Sequence, residues 1–241
     1  MPSLSLATFN THYGVRTSRR AHPREFDVAA ALASFDTDVI VVQELWRPDG
    51  ARGAVDDAAE ALGYDLVYEP TSRAMLGPHW PHLVPTGEGE SGIAVLSRLP
   101  VDRVGSLTVG PTFGDPAPVR TALDVAVDVG AARLRVVAVH LTSRLPHGPV
   151  LQLRTLSGLL PAPGTPAVVV GDCNFWGPGV VGLLRGWRRT VRGRTWPARL
   201  PHSQIDHILV RPGDGVRATD GRVLPGVGSD HLPIRVELSL T

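Results

Sequence analysis

Short apolar runs that stop at polar residues recur along this chain, and they limit what it can fold into. The runs are LSLATFN, DVIVVQE, YDLVYE, GIAVLSR, TALDVAVDV, RLRVVAVH, AVVVGD, IDHILV and LPIRVEL. Several are β-branched and too short for helices, so they read as strands. Helical patterns fall between some of them: REFDVAAALASF with Pro23 at its entrance, AVDDAAEAL followed by Gly63, and VLQLRTLSGLL. Strands outnumber helices, and GIAVLSR, TALDVAVDV and RLRVVAVH read as neighbouring antiparallel strands. That argues against a doubly wound parallel sheet. The expected class is α/β, with two packed mixed or antiparallel sheets flanked by helices. SRAMLGPHWPHLVPTGEGE and VGPTFGDPAPV read as long Pro- and Gly-rich loops over one end of the core. No repeat or composition break divides the chain, so residues 1–241 are expected to form a single domain.

The bulk numbers narrow the function classes. With 241 residues, 43% hydrophobic and 20% charged, the chain can bury a sizeable core. A net charge of +1 argues against a global electrostatic grip on nucleic acid or an acidic membrane, while leaving room for a local patch. Every basic residue is arginine, which excludes a Schiff-base or P-loop lysine. The single Cys173 excludes an internal disulfide and a multi-cysteine zinc site. No charged-then-apolar leader precedes SLSLATFN, and no apolar run approaches membrane-spanning length. The expectation is a cytoplasmic protein without a transmembrane segment, a monomer by default.

Metal-type and acid–base residues collect where the apolar runs begin or end. LSLATFN ends in Asn10, VIVVQE in Glu44 and RVVAVH in His140. VVVGDCN ends in Asp172 and Asn174, IDHILV opens on Asp206 and His207, and GSDHLPI enters its strand through Asp230 and His231. Each has a plain structural explanation: Asp172 and Asn174 alternate to one face and can form an Asx turn, and a lone histidine commonly packs. Six such termini together point to one rim of converging carboxylates, amides and imidazoles. Oxygen ligands with few soft ones suit a hard cation such as Mg²⁺ or Mn²⁺. Imidazoles beside them suit phosphoryl chemistry, which depends on positioning and charge stabilisation. No HExxH motif supports a zinc hydrolase and no G-x-S-x-G a serine hydrolase. GEGESG, Gly87 to Gly92, matches a dinucleotide fingerprint, but a strand follows it and its glutamates would repel a pyrophosphate.

TFN, VVQE, SGIAVLSR, AVHLTS, GDCN, IDHILV and GSDHLPI stand in the order found in the endonuclease/exonuclease/phosphatase superfamily. The chain resembles that family from residue 8 to about residue 234. The resemblance implies a four-layer, DNase I-like α/β sandwich and a Mg²⁺- or Mn²⁺-dependent phosphoric ester hydrolase. It implies Glu44 as main metal ligand, with Asn10 and Asp230 near it. Asp172 would activate the attacking water and Asn174 would hold the phosphate or nucleophile. His231, charged by Asp206, would contact the scissile phosphate, and His140 would be a second phosphate-binding histidine. Arg120 resembles a phosphate-binding arginine, and Glu90 a partner for His140. Cys173 stands where the family usually has an aromatic, and its side chain is expected to face the core. His207 receives no role.

The substrate is less constrained. RGWRRTVRGRTW interleaves arginines with Trp187 and Trp196 and can grip a phosphate backbone, although a solvated strand with inward tryptophans is the plainer reading. Trp176 can line the cleft or seal it, and VRTSRRAHPR is a second basic stretch. A nuclease is placed ahead of other phosphodiesterases. A phosphomonoesterase or lipid or small-molecule phosphodiesterase of the same fold, and a catalytically silent phosphate-binding module, stand as alternatives.

Overall fold

A computed structural model of the chain describes residues 1–16, 24–76, 87–115, 117, 119–144 and 146–241. Pro23, most of VRTSRRAHPR and the segment 77–86 therefore lie outside the described residues. The strands in the first half are β1 (Ser3–Asn10), β2 (Val15–Arg16), β3 (Arg24–Glu25), β4 (Val39–Pro48), β5 (Asp65–Leu76), β6 (Gly87–Ser97) and β7 (Val101–Gly110). Those in the second are β8 (Arg120–Val129), β9 (Ala132–His140), β10 (Ala167–Asp172), β11 (Arg188–Arg189), β12 (Asp206–Val210), β13 (Val216–Val223) and β14 (Ile234–Leu240). The helices are α1 (Val28–Ala33), α2 (Ala54–Ala61), α3 (His147–Ser157) and α4 (Gly177–Leu183).

Two sheets of six strands result, in the orders β13-β14-β1-β4-β6-β5 and β11-β12-β10-β9-β8-β7. Each is antiparallel except for one central parallel pair, β1–β4 in the first and β9–β10 in the second. A parallel pair needs a crossover connection, and α1 and α3 lie in those two crossovers. This is the predicted α/β class with two mixed sheets.

Side-chain alternation along the central strands builds the layers. Leu4, Leu6, Val39 and Val41 face Val136, Ala138, Val168 and Val170 in the layer between the sheets. The alternate residues Ala7, Phe9, Ile40 and Val42 pack on Val28, Leu32 and Val55 of α1 and α2. On the second sheet Val137, Val139 and Val169 cover Leu153 and Leu156 of α3 and Val180 of α4. Three apolar layers therefore hold helix, sheet, sheet and helix together. Strands buried on both faces read as continuous apolar runs, which is why the central ones were legible. Each such Val or Leu contributes about 1.5–3 kcal/mol on burial.

The differences from expectation have local causes. β7 and β13 were not foreseen because both are edge strands, largely solvent-facing, with little alternation to read. GIAVLSR in β6 and TALDVAVDV in β8 are not neighbours in one sheet. They face each other across the core, and only β8 and β9 pair as predicted. α1 starts later than its pattern, since Arg24 and Glu25 pair with β2 and the Asp27 carboxylate then accepts from Ala30 N at 2.8 Å to cap the helix. The glycine-rich GPGVVGL of α4 concealed a helix that forms by burying Val180.

SRAML and GEGE, read as loop, are the two arms of the β5–β6 hairpin. Gly89 and Gly92 of GEGESG are there for close packing rather than for phosphate. A methyl group on Gly92 would lie 2.3 Å from a Tyr68 ring carbon and 2.4 Å from the Glu69 carbonyl oxygen. Gly92→Ala is accordingly expected to lower stability by about 1–3 kcal/mol. An unchanged melting temperature would show that the hairpin shifts to accommodate it.

Candidate active site

The carboxyl ends of the two parallel pairs meet at one rim. β1 and β4 deliver Asn10 and Glu44, and β9 and β10 deliver His140 and Asp172. β12 opens on Asp206, in register with Asp172, and the turn before β14 carries Asp230 and His231. The Asn10 amide Nδ2 donates to Glu44 Oε1 and to Asp172 Oδ2, both at 3.1 Å, which ties the sheets together. His140 Nε2 lies 3.5 Å from Glu44 Oε1 and 3.9 Å from Asp172 Oδ2. His231 Nε2 is 3.9 Å from the same Asp172 oxygen, while its Nδ1 faces the Asp206 carboxylate at 3.0 and 3.1 Å. Asn10, His140, Asp172, Asp206 and His231 are all buried. Asp172, Asp206 and His231 stand close enough together to share a cation.

Backbone distortions aim two of these side chains. Strict alternation after Ile40 and Val42 would send Glu44 toward the helices. A register shift between Val42 and Leu45, with Glu44 at φ 52°, turns it to the rim, and the Thr11 hydroxyl donates to the Gln43 and Glu44 carbonyls there. Asn174 sits at φ 48°, and its backbone N–H donates to Asp172 Oδ1 at 2.8 Å. The Asx turn is therefore real, and it coexists with the site. Asn174 Nδ2 reaches the Leu141 carbonyl at 2.9 Å, and Cys173 packs with Leu141 and Val169 on the core side.

The remaining candidates have other partners. Asn10 Oδ1 accepts from His12 N at 2.9 Å. Asp230 Oδ2 accepts from the Trp196 indole at 3.2 Å, while Ser229 Oγ donates to the Asn10 carbonyl at 2.7 Å. Arg120 lies against His140, donating to its carbonyl at 3.2 Å, with its fork on Asp115. Among the described residues, no hydrogen bond or ion pair joins Glu90 to His140. Glu90 sits in β6 opposite Arg47 and Arg73. Asp115 and Tyr13 escaped sequence reasoning because both lie off the strand ends, Asp115 in a turn and Tyr13 in a single 3-10 turn (His12–Gly14), too short for any period to mark them. His207 Nε2 donates to the Phe175 carbonyl at 3.0 Å, and burial pushes its titration down to about 4, so it is a neutral packing residue.

Electrostatics separate the titrating groups. Burial pushes the Asp172 carboxyl up to about 7, with the Asp206 charge adding to it. Burial pulls His231 down, but the charge and hydrogen bond of Asp206 override it and raise it to about 10. His140 is held well below the ordinary imidazole value by burial and then by the Arg120 cation. The Glu44 charge, with burial, keeps the Tyr13 phenol protonated well above its usual range.

One stability prediction follows from the sign of the Asp172 shift. A carboxyl whose titration rises on folding is stabilising while protonated and costs stability as pH climbs from about 4 through 7. In chelator, Asp172→Asn is expected to be more stable than wild type at pH 8 by on the order of 2 kcal/mol, because only the wild type buries a charge. The gap should close toward pH 4. A variant less stable than wild type at both pH values would contradict the assigned direction.

Comparison with known proteins places this geometry. The family model described as Endonuclease/Exonuclease/phosphatase family matches residues 7–231. No curated protein sequence matches the chain. Among solved structures, an endonuclease/exonuclease/phosphatase from Beutenbergia cavernae superimposes with a TM-score of 0.75 at 24% identity, over 100% of this chain and 72% of that one. Sphingomyelinase C from Streptomyces griseocarneus gives 0.63 at 20% identity, over 98% and 99%. A mannosyl-6-phosphatase from Bacteroides thetaiotaomicron gives 0.65 at 17% identity, over 98% and 100%. At such identities these likenesses are of fold, whereas the family match spans nearly the whole chain. The chain belongs to the endonuclease/exonuclease/phosphatase family.

Proposed function

We propose that this chain is a divalent-cation-dependent phosphoesterase acting on a phosphodiester, with nucleic acid ahead of other esters, and that residues 1–241 work as one catalytic domain. The observation that carries the reading is the meeting of Glu44 and Asp172 on one Asn10 amide, with His140 and His231 imidazoles facing the same oxygens.

The donor set fits a hard cation. Two carboxylate oxygens from different sheets converge, and among the described residues no arginine ion-pairs with either. Glu44 is assigned as its principal ligand, with Asn10 and Asp230 at its margin. Asp206 is spent on His231. Bound there, Mg²⁺ or Mn²⁺ would neutralise phosphate charge and polarise the ester.

The chain's own groups supply the rest. Asp172 Oδ1 is occupied by the Asn174 N–H, which leaves Oδ2 to orient a water and accept its proton. His231 holds its Nδ1–H on Asp206 and so presents Nε2–H, with positive charge, to the phosphate oxygen. His140 is a neutral donor on the opposite side, and Arg120 and Asn174 complete the phosphate cradle.

The substrate assignment rests on what surrounds the rim. Trp187 packs inward, as the plainer reading had it, and Arg188 pairs at the Val210 end of β12, away from Asp206, while the exposed Arg194 adjoins Thr195, whose hydroxyl accepts from Asp206 N at 3.4 Å. Trp176 is stacked on Phe175, yet is 53% exposed two residues beyond Asn174, so it does not seal the cleft and is free to stack on a base. Exposed Phe113 favours a second reading, a lipid or other amphiphilic ester, in line with the sphingomyelinase neighbour.

Wild type and Asp172→Ala, assayed on supercoiled plasmid and bis-p-nitrophenyl phosphate with Mg²⁺, Mn²⁺ or EDTA, test the proposal. Wild type is expected to nick plasmid only with metal, and the variant to lose at least about 10²-fold. Cleavage of the small ester alone would move the substrate to lipids or metabolites, and release of inorganic phosphate from a monoester would make it a phosphomonoesterase. No cleavage of any ester would replace the enzyme by a phosphate-binding module.

A further inference from the structure

The pair behind His140 is built more elaborately than the fold requires. Asp115 Oδ2 accepts from Arg120 Nε at 2.8 Å and its Oδ1 from Nη2 at 3.1 Å, while Nη1 donates to the His140 carbonyl at 3.2 Å. The Asp115 side chain is fully buried and that of Arg120 is 10% exposed. Asp115 is itself held: its Oδ1 also accepts from Ala117 N at 2.9 Å, and its backbone N–H donates to the Thr112 carbonyl at 3.0 Å. Gln152 of α3 then anchors that loop to the strand end, donating to Thr112 Oγ1 and to the Gly110 carbonyl at 3.2 Å and accepting from Thr142 N at 2.8 Å.

A buried ion pair of this kind is no economical source of stability, since an apolar pair of similar volume serves a core as well. What a side-on carboxylate does supply is orientation. It fixes the plane of a guanidinium that would otherwise rotate about its stem. The contacts above engage three N–H groups of Arg120, and the others have no protein partner among the described residues.

We propose that Asp115 is a positioning residue for phosphate binding: it locks the Arg120 fork beside the His140 carbonyl so that the free guanidinium edge is aimed at the substrate phosphate. This rests on the phosphoesterase reading. Asp115 touches no substrate, and its whole effect passes through Arg120.

A double-mutant cycle tests it. Asp115→Asn keeps the shape and removes the charge. It is expected to lower kcat/KM for bis-p-nitrophenyl phosphate by on the order of tenfold to a hundredfold, measured at a temperature where the variant is folded, since it also leaves the buried Arg120 charge unpaired. In an Arg120→Met background the same change is expected to have no further effect, because the group it positions is gone. Additive losses, or activity within about twofold of wild type for Asp115→Asn, would overturn the proposal. If Asp115→Asn fails to fold, Arg120→Lys decides: it keeps the charge without the fork and should lose as much as Arg120→Met, whereas full activity overturns the proposal. Inorganic phosphate affinity, read by ³¹P line broadening through the same cycle, needs no turnover. An inactive wild type would sink the hydrolase reading alone. A wild type that binds no phosphate, or binds it equally well with Asp115→Asn, would sink this proposal.

Discussion

The apolar layer between the sheets sets the geometry at the rim. Leu4, Leu6, Val39 and Val41 on one side and Val136, Ala138, Val168 and Val170 on the other hold two parallel strand pairs face to face. Because that layer is apolar and buried, close packing keeps the sheets from sliding, and the four carboxyl ends they carry stay in register. The Asn10 amide then spans the gap, donating to a carboxylate from each sheet. The candidate site is thus a by-product of how two valine-rich surfaces interlock.

Against this rigid floor, the site holds features that oppose stability. Asp172 is buried beside Asp206, and Glu44 and Asn174 occupy left-handed backbone positions costing about 1 kcal/mol or more each. Such costs persist only where the surrounding structure over-determines them. Here the Thr11 hydroxyl holds the Glu44 backbone, the Asx turn holds Asn174, and Ser229 ties the Asn10 carbonyl to the turn carrying His231. The same polar residues that close the loops also aim the reactive groups.

Charge is arranged in two sectors around Asp172. On one side Asp206 keeps the His231 imidazole charged, and on the other burial, and then the Arg120 charge, keep His140 neutral. Two histidines therefore present different protonation states to a common centre. Burial lowers both rings, and the division comes from the Asp206 carboxylate, which overrides it at His231 alone.

The central strands and most of the rim were legible in the sequence, because doubly buried strands read as continuous apolar runs and a polar residue at the end of one is conspicuous. Asn10, Glu44, His140, Asp172, Asp206 and His231 all stood out on that ground and by the family resemblance, and they do come together. The edge strands β7 and β13, with one solvated side and no clear period, did not stand out. Neither did the placement of β6 and β8 in different sheets, since local pattern says which residues are buried but not against what. The aim of Glu44 depends on a bulge, the partner of Arg120 is an aspartate in an irregular loop, and Glu90 stands in register with Arg47 and Arg73, with no hydrogen bond or ion pair to His140 among the described residues. The sequence by itself determined which side chains would stand at strand ends, a matter of period and burial. Only the tertiary structure decided which of them meet, because strand order, register and local bulges are settled by contacts between segments far apart in the chain.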